Sequence, residues 1–151
     1  MMTEDRWQDF PEAQGGCQCG ALRFHISAGP ARATLCHCRM CQRASGNAFA
    51  PLYEVPDGRI SWSGQPKEWA SSNLATRGFC DICGTPLYYR SQGTTEIMAG
   101  TLTPDFPFRP HDNCGVESRK DWLATLHSLP DRPTSPDLLA GVVSYQMAEG
   151  I

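Results

Sequence analysis

Seven of the chain's eight cysteines fall in three tight groups: Cys17-Gln-Cys19, Cys36-His-Cys38-Arg-Met-Cys41 and Cys80-Asp-Ile-Cys83, with Cys114 apart. A disulfide inside such a group would close a very small, strained ring. A tetrahedral ion with metal–sulfur distances of about 2.3 Å accepts the spacing readily. Four thiolates make a closed structural zinc site, and three leave one position open for water or a reactant. The economical partition pairs Cys17 and Cys19 with Cys80 and Cys83 as the closed site. Cys36, Cys38 and Cys41 then hold a second zinc with a vacant fourth position. The closed site would tie the start of the domain to its middle and contribute on the order of 10 kcal/mol to folding. Spacing alone leaves other sets open. A member of the trio could join a two-cysteine knuckle, His37 or Cys114 could supply a fourth ligand, or the groups could hold an iron–sulfur cluster.

The elements that must position these groups read as short strands. Leu22, Phe24 and Ile26 alternate with Arg23, His25 and Ser27, the pattern of a half-buried strand, and Ala31–Leu35 runs directly into Cys36. Phe49 to Val55 is extended, with Pro51 suggesting a sheet edge. Further short, turn-bounded runs follow at 60–62, 68–71, 75–79, 87–90 and 96–99, so the body is mainly β. Trp122, Leu123 and Leu126 stand at helical spacing within 121–127. Ser135-Pro136-Asp137 reads as an N-cap with Pro at the first position of another short helix.

Composition bounds the function. The 151 residues make one domain's worth of chain, with 40% hydrophobic residues to build a core. Thirteen Lys and Arg against sixteen Asp and Glu argue against a nucleic-acid binder, which needs a basic surface. No apolar run is long enough to span a bilayer, and the acidic start has no signal-like core. The expectation is a soluble cytoplasmic protein, monomer or homodimer, whose clustered thiols bind metal rather than pair as cystines. Cys114 reads as a small buried hydrophobe. His25, His111 and His127 read as surface or loop residues, and His37, between two ligands, as a residue that supports them from behind or faces solvent rather than binding the metal. Trp62, Trp69, Phe49, Tyr88 and Tyr89 read as packing residues.

The run Gly16-Cys17-Gln-Cys19-Gly20-Ala-Leu-Arg-Phe24, then Cys36-His37-Cys38-Arg-Met-Cys41 and Gly46, then Phe79-Cys80-Asp-Ile-Cys83-Gly84 and Leu87, with Trp122 and Leu129-Pro130, resembles the glutathione-dependent formaldehyde-activating enzyme family, whose domain is shared with centromere protein V. The resemblance covers residues 13–130. It implies a β-tent of several short antiparallel sheets with one or two short C-terminal helices, residues 1–12 forming an N-terminal extension and 131–151 a tail or helix packed on the domain. It also implies a structural zinc on Cys17, Cys19, Cys80 and Cys83, and a catalytic zinc on Cys36, Cys38 and Cys41. The implied reaction joins glutathione to formaldehyde as S-hydroxymethylglutathione, a carbon–sulfur lyase step when reversed. Many members carry His nine residues before the matched Trp, where this chain has Asn113.

The open site suits that chemistry. Three thiolates leave a bound divalent zinc with a net charge of about −1, a weak Lewis acid suited to taking a fourth, exogenous thiol and lowering its pKa. A small thiol such as glutathione then adds negative charge that nearby cations must offset. Arg39 and Arg43 flank the trio and are the expected thiol-substrate contacts, with Arg77 and Arg90 near the second knuckle. The competing expectation is a zinc module without enzymatic activity that binds a protein partner.

Overall fold

The computed structural model describes residues 6–148. Two antiparallel sheets carry the chain. Strands β1 (Gln8–Phe10), β4 (Gly29–Cys36), β5 (Ala50–Pro56), β7 (Lys67–Ala70), β8 (Ala75–Phe79), β9 (Pro86–Ser91), β10 (Thr94–Met98) and β11 (Asp112–Cys114) make the large sheet. Its order is β1-β4-β5-β10-β9-β8-β7, with β11 also on β4. Strands β2 (Ala13–Gly16), β3 (Arg23–Ile26) and β6 (Ile60–Ser63) make the small one, in the order β2-β3-β6. The mainly β body expected from the alternating runs is therefore present. Among the described residues the one departure from antiparallel pairing is β11, which runs parallel to the end of β4 and sets Cys114 opposite Cys36.

Alternation places the core. Phe24 and Ile26 of β3 turn inward, where they meet Tyr53 and Val55 of β5, Leu87 and Tyr88 of β9 and Ile97 of β10. Burial of each such side chain contributes about 1.5–3 kcal/mol. Phe24 and Trp62 pack ring to ring at 5.1 Å between centroids, and Trp62 and Tyr88 at 5.4 Å, which joins the sheets face to face. Cys17 and Cys80 are buried within this core.

Two expectations are revised. Pro51 does not mark an edge, because β5 lies between β4 and β10. It pairs with Leu35 on the β4 side, while on the other side β10 reaches only to Leu52, so Pro51 has no partner on β10 that would need its missing N–H. The short helix α1 (Arg39–Ser45) follows the trio's second cysteine, where no apolar stripe announces a helix. Its cap is the Cys38 thiol, which accepts from the Cys41 N–H, and Gly46 closes it in the left-handed conformation at φ 64°. The C-terminal turns are 3-10 helices at Asp121–Ser128 and Pro136–Leu139, the latter capped by the Ser135 hydroxyl as its sequence suggests. Beyond them, the Met147 N–H donates to the Gln18 carbonyl at 2.8 Å. Residues 1–5 and 149–151, parts of the expected N-terminal extension and tail, lie outside the described residues. No described helix is long and apolar enough to cross a membrane.

Candidate metal centres

The first cluster gathers Cys17 and Cys19 from the β2–β3 turn with Cys80 and Cys83 from the β8–β9 turn. All four sulfurs lie within 4.8 Å of one another. Cys17 to Cys19 is 3.5 Å and Cys19 to Cys80 is 3.8 Å, close to the ~3.8 Å that a tetrahedron with 2.3 Å bonds requires. Backbone hydrogen bonds shape both turns. The Gly20 N–H donates to the Cys17 carbonyl, the Gly84 N–H to the Cys80 carbonyl, and the Leu22 N–H to the Cys17 sulfur. Burial pushes the Cys83 thiol up, but the Thr85 hydroxyl at 3.1 Å and the surrounding backbone donors outweigh it, bringing it down to about 6. A low thiol pKa favours the thiolate that a metal needs.

The second cluster is Cys36, Cys38 and Cys41, again within 4.8 Å of one another. Cys36 ends β4, Cys38 caps α1 and Cys41 lies in the helix's first turn, so a strand end and a helix start converge on one point. Cys36 and Cys38 sulfurs are 3.5 Å apart. Burial raises the Cys38 thiol, yet the Cys41 N–H at 3.4 Å and the neighbouring thiols hold it below the usual range. Cys41 is also held low, first by the Cys36 thiol and further by Arg77, whose guanidinium comes within 4.0 Å of its sulfur. Cys36 takes the opposite course: Cys114 lowers it, but Cys41 and burial push it up to about 12. Both donor sets fit a soft ion such as zinc, four sulfurs in one and three in the other.

Around the trio the structure departs from several sequence expectations. Cys114 is an exposed thiol beside Cys36, in the wall of the trio's cavity, not a buried hydrophobe. His37 is buried, which fits the place beside the ligands and not the solvent-facing alternative. Its Nε2 bonds the Asn113 Oδ1 at 2.8 Å, and its N–H donates to the Cys114 carbonyl. Arg39 donates to Gln42 Oε1 at 2.5 Å, and Gln42 in turn donates to the His37 and Ser118 carbonyls, bracing the trio's backbone. Arg43 lines a groove of about 630 Å³ with Trp69, Arg77 and Tyr88, beside the trio. Arg90 pairs with Glu68 instead. Exposed Trp69 and half-buried Tyr89 line cavities as well as pack.

The trio opens into a cavity of about 250 Å³, whose wall includes Arg77, Tyr89, Glu96 and Cys114. Glu96 carries no spacing signal in the sequence. It arrives through sheet register, which sets it between Glu54 of β5 and Tyr89 of β9.

Fold and site together define a mainly β domain with two separate thiol clusters, one of four sulfurs with Cys17 and Cys80 buried, and one of three sulfurs that line a cavity. The model of the glutathione-dependent formaldehyde-activating enzyme family matches residues 12–117, and the chain belongs to that family. It is similar to an uncharacterized lyase of Schizosaccharomyces pombe, 30% identical over 80 residues, 53% of this chain and 58% of that protein. The chain thus spans less than two thirds of that relative. A crystal structure of a Rhodobacter sphaeroides protein shares the fold at a TM-score of 0.55 and 17% identity, covering 66% of this chain and 98% of that one.

Proposed function

We propose that the protein is a zinc-dependent carbon–sulfur lyase that joins a small thiol such as glutathione to formaldehyde or another small aldehyde, and splits the adduct in reverse. The observation that carries this reading is the three-sulfur cluster facing a cavity, one donor short of a closed tetrahedron. Cys17, Cys19, Cys80 and Cys83 would hold a structural zinc, and Cys36, Cys38 and Cys41 a catalytic one. When bound at the trio, zinc supplies a Lewis acid that lowers the pKa of an incoming thiol. The chain's own residues do the rest. Arg77, against Cys41, offsets the negative charge that gathers there. Arg43 and Arg77 in the groove offer cations to the carboxylates of a thiol lying along it, and Arg39 supports the trio through Gln42. The balance is simple. The sulfur forms a bond to the carbonyl carbon, the C=O π pair moves to oxygen, and the thiol's proton ends on that oxygen. The small thiol and aldehyde are the only partners this reading needs, in a cytoplasmic setting.

A second reading is favoured by one observation, Cys114 beside Cys36. A fourth sulfur there would close the trio and make the domain a zinc module for a protein partner. X-ray absorption on protein holding two zinc ions separates the readings. Seven sulfurs shared between the two ions, with one light atom, support the enzyme, and eight support the module. In parallel, Cys41→Ser is expected to abolish the protein-dependent rate of thiohemiacetal formation. Equal rates in the substituted and unsubstituted proteins would overturn the role given to the trio.

A further inference from the structure

One row of side chains crosses the large sheet from strand to strand. Arg32 of β4 faces Glu54 of β5, Glu54 faces Glu96 of β10, Glu96 faces Tyr89 of β9, and Tyr89 faces Arg77 of β8. The order of charge along it is plus, minus, minus, aromatic, plus. Two carboxylates directly opposite each other repel, so the pair holds its second negative charge poorly. The Arg32 guanidinium pairs with the Glu54 carboxylate. Arg77 stacks over the Tyr89 ring, 4.9 Å from its centroid, and reaches Cys41. Among the described residues no ion pair engages Glu96, and its side chain joins the wall of the trio's cavity.

The groups that face Glu96 come from every neighbouring element. Glu54, Arg32, Tyr89 and Arg77 stand in its row, and Cys114 and the Arg6–Asp112 pair close the cavity from the β11 side. Burial is the largest influence on its carboxyl, followed by Glu54. Arg32 opposes them, Cys114 adds to them and Arg77 opposes, and the result is about 7. A carboxyl of that kind in a cavity beside a reactive cluster is suited to move a proton near neutral pH.

We propose that Glu96 is the proton donor to the aldehyde oxygen in the joining direction and the acceptor of the hydroxyl proton in the splitting direction. This rests on the reading of the trio as the thiol–aldehyde site. As the sulfur bonds to the carbonyl carbon, the π pair moves to oxygen and takes the Glu96 proton. The proton shed by the incoming thiol returns to the Glu96 carboxylate through water. The sum is thiol plus aldehyde giving the hydroxymethyl thioether, with no oxidant, reductant or third reactant.

The test uses the zinc-loaded full chain with glutathione and formaldehyde as probes, and Glu96→Gln, which keeps size and hydrogen-bonding capacity. Exchange between free thiol and adduct is followed by NMR over pH 5.5 to 9, with zinc content checked in each protein. At saturating thiol the joining rate is expected to fall as pH rises through about 7, and the splitting rate to rise through the same value. Glu96→Gln should lose about 10²-fold of the protein-dependent rate and both pH limbs. A rate and profile equal to the unsubstituted protein's would overturn the role of Glu96 while leaving the trio reading intact. No acceleration by the unsubstituted protein overturns the trio reading and takes this proposal with it. Infrared spectroscopy gives a readout independent of turnover. A protonated carboxyl band should disappear as pH rises through about 7 and be missing from Glu96→Gln. Its absence from the unsubstituted protein would also overturn the proposal.

Discussion

Glu96 and Glu54 stand side chain to side chain, and folding has to accommodate both. Glu54 has Arg32; Glu96 instead keeps a proton that the unfolded chain would release near 4.5 and the folded chain holds to about 7. Because the folded value is raised, the contribution to stability is complete below about 4.5 and is lost as pH rises through about 7. The loss is on the order of 3 kcal/mol, and Glu96→Gln, neutral at every pH, escapes it. Urea unfolding at pH 5.5 and pH 8 should therefore show the Glu96→Gln protein gaining on the unsubstituted one at the higher pH. Parallel stabilities at both values would mean that Glu96 ionises freely. At this scale the cysteines were legible and the carboxylate was not. A metal ligand announces itself by spacing along the chain, as in Cys36-His-Cys38 or Cys80-Asp-Ile-Cys83. Glu96 acquires its neighbours from residues 32, 54, 77 and 89, which only strand pairing brings together. Cys114, 73 positions beyond Cys41 in sequence, is the same case, since its place opposite Cys36 depends on the parallel pairing of β11 with β4.

The elements that carry the trio are held by close backbone contacts, and Gly115 is the closest of them. It sits just after β11 at φ 61°, and a Cβ there would lie 2.7 Å from the Cys38 nitrogen and 2.9 Å from the Cys38 Cβ. The hydrogen bond from His37 N–H to the Cys114 carbonyl fixes the same two segments together. Gly115→Ala therefore faces both a left-handed backbone and a backbone clash, at a cost of about 1–3 kcal/mol. The displaced group would be β11 or Cys38 itself. The expected outcome is a folded protein with a lowered melting temperature that retains the four-cysteine metal and binds the trio's metal more weakly, read by metal titration. Unchanged affinity at the trio would show that β11 does not shape it. Most strands follow visibly from alternation, as in Leu22–Ser27, because one face of each meets the core. The α1 helix does not, since seven residues that turn Cys41 to the same point as the capping Cys38 leave no room for an apolar stripe. β11 was equally silent, being three residues recruited to an edge within a Pro-rich segment.

The two clusters occupy different places in the architecture, and this should separate their contributions to the whole molecule. Cys17 and Cys19 belong to the turn of the small sheet, and Cys80 and Cys83 to a turn of the large one, so an ion held by all four joins the two sheets at the core's edge. The trio lies at the end of β4 and the start of α1, where the ladder from β4 to β5 and the Gln42 bridges already hold the chain. Loss of the first ion should remove on the order of 10 kcal/mol, comparable to the whole stability of a domain this size. Loss of the second should cost little, because its ligands are positioned without it. A graded chelator titration followed by circular dichroism and zinc release is then expected to show two steps. The first releases one zinc with the β signal intact, and the second releases the other together with unfolding. Cys80→Ser should purify unfolded or aggregated, and Cys41→Ser folded with one zinc. A single step in which both ions and the fold are lost together would mean that the trio is part of the scaffold, and an open reactive site would then have to unfold the protein each time its metal left.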